Sequence, residues 1–562
     1  MSTRENQRQG DQIPGSGHGL TLRARYGLAV LSGALLGFSF PPFTSGILAF
    51  VGLVPLLIAL EDIPRLRSTL KLGYVSMLVF HIITLNWTGG YVHGHDPYMM
   101  IAGGLTMLLH PFFYFLPLGA YHAVRRRLGS GIGLLALPFL WVGYEYSHSL
   151  SEWSFPWLTI GNSQSYDLVR IQFIRFTGVY GLSFMILLFN VVGYQLYRIL
   201  AETASRRKAG RILACSAGLL VLYVAPLVDG IIVLPKATEP ADQGRPFTVG
   251  MVQSNVDPWD KWTTSEDNAL ALYLRLTDSL LATHRSPTPQ LVLWPETAIP
   301  VYLLAPGYSP LLAQLRRNVD STNVAVLTGL PHAVLYDDPS KAPPSAKKSA
   351  MTGHRYDAFN AAAFIQPHVP IIPWYGKMKM VPLAERVPYA DAFAYLGFLQ
   401  WGVGIGGWQI GPDTTVFLCR EDSVRFATLI CYESVYPGFV ASFVRKGAEV
   451  LVIITIDSWW GKMSGAYQHQ RFAVFRAVEN RRWIARCAVG GISCYIDPYG
   501  RIYDQTELFT KATLSRTVRA RDDETLYSRF GDWFGTTLLI TGMLFFSVAV
   551  VDKIRENFRE RR

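Results

Sequence analysis

The sequence predicts a helical membrane domain joined to an α/β domain. Half of the 562 residues are hydrophobic and 17% are charged, and the mean hydropathy is +0.20, which is too apolar for an ordinary soluble protein. Long apolar runs fill residues 26–235, whereas short Val-, Ile- and Leu-rich runs alternate with amphipathic stretches over residues 246–525. Because a domain averages roughly 150 residues, a chain of this length should contain more than one domain.

Eight apolar segments predict about eight transmembrane helices, since about 20 apolar residues are needed to cross a hydrocarbon core about 30 Å thick. Seven of them form a predicted transmembrane domain over 26–235, and the eighth, 534–551, contains no charged residue. Further apolar segments follow the first one, which argues against a cleaved signal peptide. The seven segments are 26–40, 46–60, 72–87, 99–124, 132–146, 179–197 and 212–234.

The distribution of basic residues predicts the orientation in the membrane. Lys and Arg cluster before the first segment, after the second, fourth and sixth, and after the eighth; the alternate loops hold few besides Arg170 and Arg175. The positive-inside rule places the basic loops and both tails, 1–25 and 552–562, in the cytoplasm. The region between 235 and 533 then lies outside the cytoplasm. Topology and anionic lipid contact account for the net charge of +11, so no nucleic-acid partner is expected.

Six apolar runs in the region 246–525 predict buried strands. Helices are predicted at 266–284, 309–318 and 467–482, the second with Ser309 as N-cap and Pro310 as its first helical residue. Strands mixed with helices indicate an α/β layered domain. The six runs are 246–256, 290–298, 324–330, 360–365, 424–434 and 448–457.

Three reactive side chains, Glu296, Lys377 and Cys431, lie where a turn would present them to a cleft. A cysteine reacts as a thiolate, so it needs a base or a nearby positive charge. The glutamate could serve as that base. The lysine could stabilise the thiolate and, with the backbone N–H after the cysteine, an oxyanion. Taken singly, such a cysteine is more often a packing residue, and a loop Glu or Lys is usually only solvated.

In the order Glu–Lys–Cys and within their local motifs, these residues resemble the nitrilase superfamily of carbon–nitrogen hydrolases and acyltransferases. The resemblance implies an αββα sandwich with Glu296, Lys377 and Cys431 as its catalytic trio. The flanking motifs WPETAIP, YGKxxxVPxxExVP and ICYES are similar to those of a narrower family, the apolipoprotein N-acyltransferases.

Further motifs outside the trio carry the same resemblance, which covers about residues 40–533. In the α/β region they are VQSNVDPWDKW (252–262), RAVENRRWIARCAVGGISCYIDPYGR (476–501) and TLYSRFGDW (525–533). In the membrane region they are Glu145, FPW (155–157), Gly161, Ser163-Gln164 and FTGVYGLSF (176–184).

The resemblance assigns roles to seven residues of this chain. Glu296 would be the general base, Lys377 the stabiliser of thiolate and oxyanion, and Cys431 the nucleophile. Simple packing is the alternative for Trp262, and a hydrogen-bond partner of the catalytic residues is the alternative for Glu433. The four supporting positions, which would hold the site or shape its pocket, are Trp262, Glu385, Tyr432 and Glu433.

The resemblance also implies a reaction and a location. A phospholipid, typically phosphatidylethanolamine, would acylate Cys431. The acyl chain would then pass to the free α-amino group of the diacylglyceryl-cysteine at a lipoprotein N-terminus, completing lipoprotein maturation. The protein would be a monomer in a bacterial inner membrane with a periplasmic catalytic domain. Two alternatives stay open, a membrane-anchored hydrolase of the same superfamily and a transporter or scaffold with an inactive domain. Against the transporter, Glu145 and Asp229 lie within apolar segments without an obvious cationic partner.

The chain departs from the family pattern in three places. It has IDSWWG (456–461) where the family often has Asn-Asp-Ala-Trp-Phe-Gly, and Val489 begins VGGIS where Asn-Thr-Gly-Ile-Ser is common. Met378-Lys379 replaces a common Asn-His after the lysine.

Other histidines and cysteines predict no metal site or cofactor. The loop with His93 and His95 could hold a metal, but a solvated loop is the simpler interpretation. His469 is expected to support helix packing. The five cysteines show no CxxC spacing, so neither a zinc site nor a disulfide framework is expected. Three histidines in apolar runs are expected to form interhelical hydrogen bonds: His81, His110 and His122.

Overall fold

The computed structural model describes residues 20–90, 96–203, 207–234, 244–262, 265–343, 346–349, 353–389, 407–419 and 423–560. Most of the predicted N-terminal tail, the loop with His93 and His95, and the linker 235–243 lie outside the described residues, as do the last two residues of the C-terminal tail.

Each of the eight apolar segments is helical. Five described stretches are long and apolar enough to cross a membrane: Leu66–Leu85, Pro97–Leu128, Val179–Ala201, Lys208–Val233 and Trp533–Glu560. Gly46–Ala59 is a shorter apolar stretch. The helices are α1 Leu22–Phe38, α2 Ala49–Gly52, α3 Val54–Ala59, α4 Leu66–Leu85, α5 Pro97–Leu109, α6 Phe115–Leu128, α7 Ser130–His148, α8 Ile174–Thr177, α9 Val179–Ala201, α10 Lys208–Val233 and α16 Trp533–Glu560.

Two of these segments are broken where a proline removes a backbone donor. Pro111 lies in a 3-10 turn, His110–Tyr114, between α5 and α6. Near Pro55 the chain bends between α2 and α3, and the N–H of Leu53 donates to Asn190 Oδ1 at 2.8 Å. Asn190 Nδ2 donates in turn to the carbonyl of Ala49 at 2.8 Å, so a side chain of α9 supplies partners to the backbone at this break, as an apolar environment requires.

Small residues allow the membrane helices to pack closely. A Cβ at Gly33 of α1 would lie 2.1 Å from the carbonyl oxygen of Ser76 in α4, so only glycine permits this approach. The C-terminal α16 returns to the bundle and packs on α7, where Gly143 faces Leu539.

One expectation about charge in the membrane region is wrong. Asp229 of α10 has a cationic partner, because both guanidinium nitrogens of Arg175 donate to its carboxylate at 2.7 Å. The pairing joins α10 to the turn before α9. The sequence hid it because the two residues are separated by 54 positions.

The α/β region contains two sheets. Their strands are β1 Arg245–Gln253, β2 Leu291–Leu293, β3 Ala325–Leu335, β4 Lys347–Lys348, β5 Arg355–Ile365, β6 Trp374–Gly376, β7 Val416–Cys419, β8 Val424–Ile430, β9 Val450–Thr455, β10 Trp483–Ala488, β11 Cys494–Ile496, β12 Ile502–Tyr503 and β13 Ala512–Ala520. The first sheet has the order β13-β1-β2-β3-β5-β4, with β6 paired to β5, and the second has the order β12-β11-β10-β9-β8-β7. β1, β2 and β3 are parallel, as are β8, β9 and β10.

The two sheets face each other and helices cover their outer faces. Tyr495 of β11 donates to the carbonyl of Val249 in β1 at 2.6 Å, across the interface between the sheets. α11 and α12 cover the first sheet, and α13 and α14 the second, which gives an αββα order. The helices are α11 Glu266–Thr283, α12 Ser309–Thr322, α13 Pro437–Arg445, α14 Ser464–Asn480 and α15 Leu526–Phe530.

All six predicted strands and all three predicted helices are present, but two helix starts differ. α14 begins at Ser464, three residues before the predicted start. α12 has Tyr308 as its N-cap, and Ser309 is already helical. The preceding 3-10 turn Pro306–Tyr308 runs directly into the helix, so the helix begins one residue earlier than the Ser-Pro pattern predicts.

Candidate active site

Cys431 lies directly after β8, where the chain turns sharply. Its φ is +53°, a left-handed conformation that a residue with a side chain rarely adopts and that clusters at functional sites. It begins a 3-10 turn, Cys431–Val435, and only 9% of it is exposed. The Ser434 hydroxyl donates to the Cys431 carbonyl at 2.8 Å and helps to hold this turn.

The structure brings Glu296, Lys377 and Glu385 together in one buried cluster. Lys377 Nζ lies 2.7 Å from Glu385 Oε1 and 3.6 Å from Glu296 Oε1. Asn360 lies in β5, and the sequence pattern indicates only a strand residue at this position. Its amide donates to Glu296 Oε1 at 2.8 Å and contacts Glu385 Oε1 at 3.4 Å. The lysine is therefore held between two carboxylates that share one amide donor.

Electrostatics keep the resting cysteine protonated and the lysine charged. Burial would lower the pKa of Lys377, but the carboxylates of Glu385 and Glu296 outweigh it and hold this pKa above its ordinary value. Burial raises the pKa of the Cys431 thiol, Glu296 raises it further, and Lys377 opposes both. A base must therefore take the thiol proton before the sulfur can attack, and Glu296 is the carboxylate that interacts most strongly with it.

Glu433 joins the lysine loop to the cysteine turn. Its Oε1 accepts from the Tyr375 hydroxyl at 2.6 Å and from the backbone N–H of Met378 at 2.7 Å and of Lys379 at 3.2 Å. Its Oε2 accepts from the N–H of Ile430 at 2.7 Å. Burial raises the pKa of Glu433 to about 7. Of the two interpretations from sequence, the structure supports that of a hydrogen-bond partner behind the catalytic residues.

The departures from the family pattern lie where the site uses backbone atoms. The N–H of Ile456 donates to Glu296 Oε2 at 3.1 Å, and those of Met378 and Lys379 donate to Glu433. The carbonyl of Val489 accepts from Asn255 N–H at 2.7 Å. A change of side chain at these positions leaves each of these contacts available.

A row of polar and charged side chains leads to the Cys431 carbonyl, and the sequence did not reveal it. His469 Nδ1 lies 2.8 Å from Asp457 Oδ1, and Arg486 donates to Asp457 Oδ2 at 2.7 Å. His469 Nε2 lies 3.1 Å from the Cys431 carbonyl. Burial would raise the pKa of Asp457, but Arg486 and His469 hold it well below its ordinary value. His469 packs as expected, with its ring 5.5 Å from that of Trp157, and it also forms these polar contacts.

The membrane region forms one wall of the site. Tyr432 stacks with Trp157 at a ring distance of 6.4 Å and with Phe155 at 6.2 Å, and its hydroxyl donates to the Ser154 carbonyl at 3.1 Å. The residue next to the nucleophile thus contacts the loop that follows α7, and the catalytic cluster lies at the junction of the two regions.

Trp262 lies beside Lys261, whose Nζ is 5.4 Å from the centroid of the Trp262 ring. It ends the 3-10 turn Asp260–Trp262 and is 41% exposed, which does not fit simple packing. Its neighbour Lys261 is buried instead.

The histidines in the membrane helices form the expected interhelical hydrogen bonds. His81 Nε2 lies 2.8 Å from His110 Nδ1, and His122 Nδ1 lies 2.8 Å from Thr69 Oγ1.

Comparison with known proteins identifies the family. The model for the apolipoprotein N-acyltransferase N-terminal domain matches residues 32–192, and that for carbon–nitrogen hydrolases matches residues 248–524. The apolipoprotein N-acyltransferase of Chlorobaculum tepidum is 35% identical over 93% of this chain and 96% of its own length. That of Geobacter metallireducens is 34% identical over 91% and 92%.

A solved structure of the nitrilase superfamily, Saccharomyces cerevisiae Nit3, covers 51% of this chain and 93% of its own at 15% identity and a TM-score of 0.36, too distant to add to the assignment. The matches to the two family models and the two enzymes confirm the nitrilase-like α/β domain and the resemblance first read from the motifs. This chain belongs to the apolipoprotein N-acyltransferase family.

Proposed function

We propose that the protein transfers an acyl chain from a phospholipid to the α-amino group of the diacylglyceryl-cysteine at a lipoprotein N-terminus, through a thioester on Cys431. The observation that carries the proposal is the buried cluster of Glu296, Lys377 and the strained Cys431, walled on one side by Trp157 of the membrane region. The names of the relatives support the choice of acceptor.

In the first half-reaction Glu296 takes the thiol proton and Cys431 Sγ bonds to the ester carbonyl carbon. The Lys377 ammonium, with the backbone N–H of Tyr432, stabilises the oxyanion that forms. The bond from carbon to the glycerol oxygen then breaks. That oxygen takes the proton from Glu296, and a lysophospholipid leaves.

In the second half-reaction the neutral α-amino group attacks the thioester carbon. Glu296 takes a proton from the attacking nitrogen, the carbon–sulfur bond breaks, and the sulfur recovers the proton as a thiol. The product is an amide, and the enzyme returns to its resting state.

The membrane region explains how both substrates reach the site. Moving an acyl chain into water costs about 0.8 kcal/mol per CH₂, so a site open sideways to lipid avoids a large penalty. We propose that the protein is a monomer and that all eight of its helical segments cross the inner membrane of a bacterium. The basic loops and tails lie in the cytoplasm and the catalytic domain lies in the periplasm, as the positive-inside rule favours.

The test is intact-mass spectrometry of the purified protein after incubation with phosphatidylethanolamine, beside Cys431→Ala. We expect an acyl adduct only when Cys431 is present, and we expect it to disappear as added diacylated lipopeptide becomes triacylated. An adduct that is lost equally fast without the lipopeptide would identify a hydrolase. No adduct under any condition would refute the thioester route.

A further inference from the structure

A cavity of about 240 Å³ lies beside the catalytic glutamate. Thr297 and Ala298, the two residues after Glu296, line one side, and α11 lines another. Most of the lining is apolar, but two basic residues belong to it, the buried Lys261 and the exposed Arg275 of α11. Two basic side chains therefore line a cavity next to the segment that follows Glu296.

Lys261 has an unusual environment for a lysine. It is only 5% exposed, and its Nζ lies 5.4 Å from the centroid of the Trp262 ring. Among the residues that the structure describes, this Nζ has no hydrogen-bond partner. Burial lowers its pKa to about 7, although Glu296 acts to raise it. Buried ammonium groups are normally paired, because their desolvation is otherwise uncompensated. An amine held in this way next to a cavity points to an anionic ligand that completes it.

We propose that this cavity is a phosphate subsite, in which Lys261 binds the phosphodiester of the phospholipid acyl donor and Arg275 contacts it at the opening. The inference rests on the proposed function and names how its donor is held. In a glycerophospholipid only the glycerol backbone separates the phosphate from the reacting ester. A donor whose ester lies at Glu296 and Cys431 therefore places its phosphate nearby. An acyl chain is a poorer occupant, because it would leave the amine unpaired.

The experiment compares the wild-type protein with Lys261→Met in the rate of Cys431 acylation at varied donor concentration. The donors are phosphatidylethanolamine and phosphatidylglycerol, which share the phosphodiester, and p-nitrophenyl palmitate, which has none. We expect Lys261→Met to weaken the apparent affinity for both phospholipids by about 10- to 100-fold, the factor for one lost charge-assisted hydrogen bond. The rate with p-nitrophenyl palmitate should stay at the wild-type value.

Two further variants separate charge from folding. Lys261→Arg keeps a cation and should recover part of the phospholipid affinity. Arg317→Met removes an exposed charge from α12, away from the cavity lining, and should change nothing. Methionine is close to lysine in length and carries no charge, so the melting temperature of Lys261→Met should not fall.

Three outcomes overturn the proposal. One is unchanged phospholipid affinity in Lys261→Met, and another is an equal loss with all three donors. The third concerns free phosphate: if inorganic phosphate alters the wild-type rate with every donor, but not the rate of Lys261→Met, the cavity binds the free ion instead of the lipid. By contrast, a wild-type protein that forms no adduct with any phospholipid defeats the proposed function itself.

Discussion

Glu433 accepts four hydrogen bonds, three at Oε1 and one at Oε2, and a proton on either oxygen would compete with the donors there. Three of the donors belong to the segment around Lys377, and the fourth is the N–H of Ile430, next to Cys431. Burial raises the pKa of Glu433 to about 7, while Tyr375, the backbone donors and Lys377 favour the ionised form. The alignment of lysine and cysteine thus depends on one ionisation.

We expect the acylation rate of Cys431 to fall as the pH is lowered through about 7, because protonation of Glu433 removes an acceptor from its donors. Glu433→Gln places an amide N–H₂ against N–H donors, so its rate should be at least about 100-fold lower and should not respond to pH in this range. The measurement is the rate of acyl-adduct formation between pH 5 and 9, with exposed Glu524→Gln as control. A Glu433→Gln profile that retains the wild-type midpoint would assign the ionisation to another group.

At this scale the sequence singled out the trio, whose catalytic roles stay predictions, and revealed little of its surroundings. Glu296, Lys377 and Cys431 could be found because each follows an apolar run that ends in a turn. Asn360 could not, because it lies inside a strand and reaches the two glutamates only through sheet pairing. The departures at Ile456 and Met378 carried little information, since the site uses their backbone N–H groups.

Side chains after β9, in α14 and in β10 support the backbone of the nucleophile. Asp457 follows β9, as Cys431 follows β8, and the two strands are parallel neighbours, so their carboxyl ends lie at one edge. α14 places His469 between them, and Arg486 of β10 pairs with the aspartate from the other side. The histidine therefore joins a fixed ion pair to the carbonyl of a residue with φ of +53°.

We expect His469→Phe to lower the acylation rate by about tenfold or more with little change in apparent donor affinity, because the Cys431 turn loses its bond while the donor site is untouched. His469→Gln can present an amide N–H near the position of Nε2 and should recover part of the rate. Quenched time courses of acylation, measured over a series of donor concentrations, separate the acylation rate from the apparent donor affinity. If both variants lose rate only in proportion to their loss of folded protein, the histidine has a structural role alone.

Strands were predicted where an apolar run is continuous. β10, although buried along its 6 residues, was not predicted, because Arg486 interrupts its apolar run. The six predicted strands are continuous apolar runs, and each was found. β4, β7, β11 and β12 are two to four residues long and exist only because a neighbouring strand pairs with them. β13 alternates with charged residues, yet it pairs with β1 along nine residues, a long-range contact that no local pattern reveals.

Hydrogen bonds of one buried glutamine join the two regions of the molecule. Gln468 of α14 accepts from the indole N–H groups of Trp157 at 2.6 Å and Trp87 at 2.9 Å. Its amide donates to the carbonyls of Pro41 at 2.8 Å and Thr84 at 3.0 Å. Composition predicted each region separately, but this contact joins positions more than 300 residues apart and could not be read from sequence.

Gln468→Leu should therefore weaken the contact between the membrane region and the catalytic domain. The substitution leaves two indole donors and two carbonyls without this partner. Unpaired buried groups cost about 1–3 kcal/mol each, so we expect the free energy of unfolding to fall by at least about 4 kcal/mol. Trp157, which stacks on Tyr432, should shift as well, and acylation by phosphatidylethanolamine should fall by more than acylation by p-nitrophenyl palmitate. Gln470→Leu is the matched control, because Gln470 lies on the same helix and, in the described part of the chain, bonds to Gln505 and Cys494 of the catalytic domain. Thermal unfolding in detergent and the ratio of the two acylation rates measure both effects. An unchanged ratio in Gln468→Leu, or an equal change in Gln470→Leu, would mean that the junction holds the regions together without guiding lipid to the site.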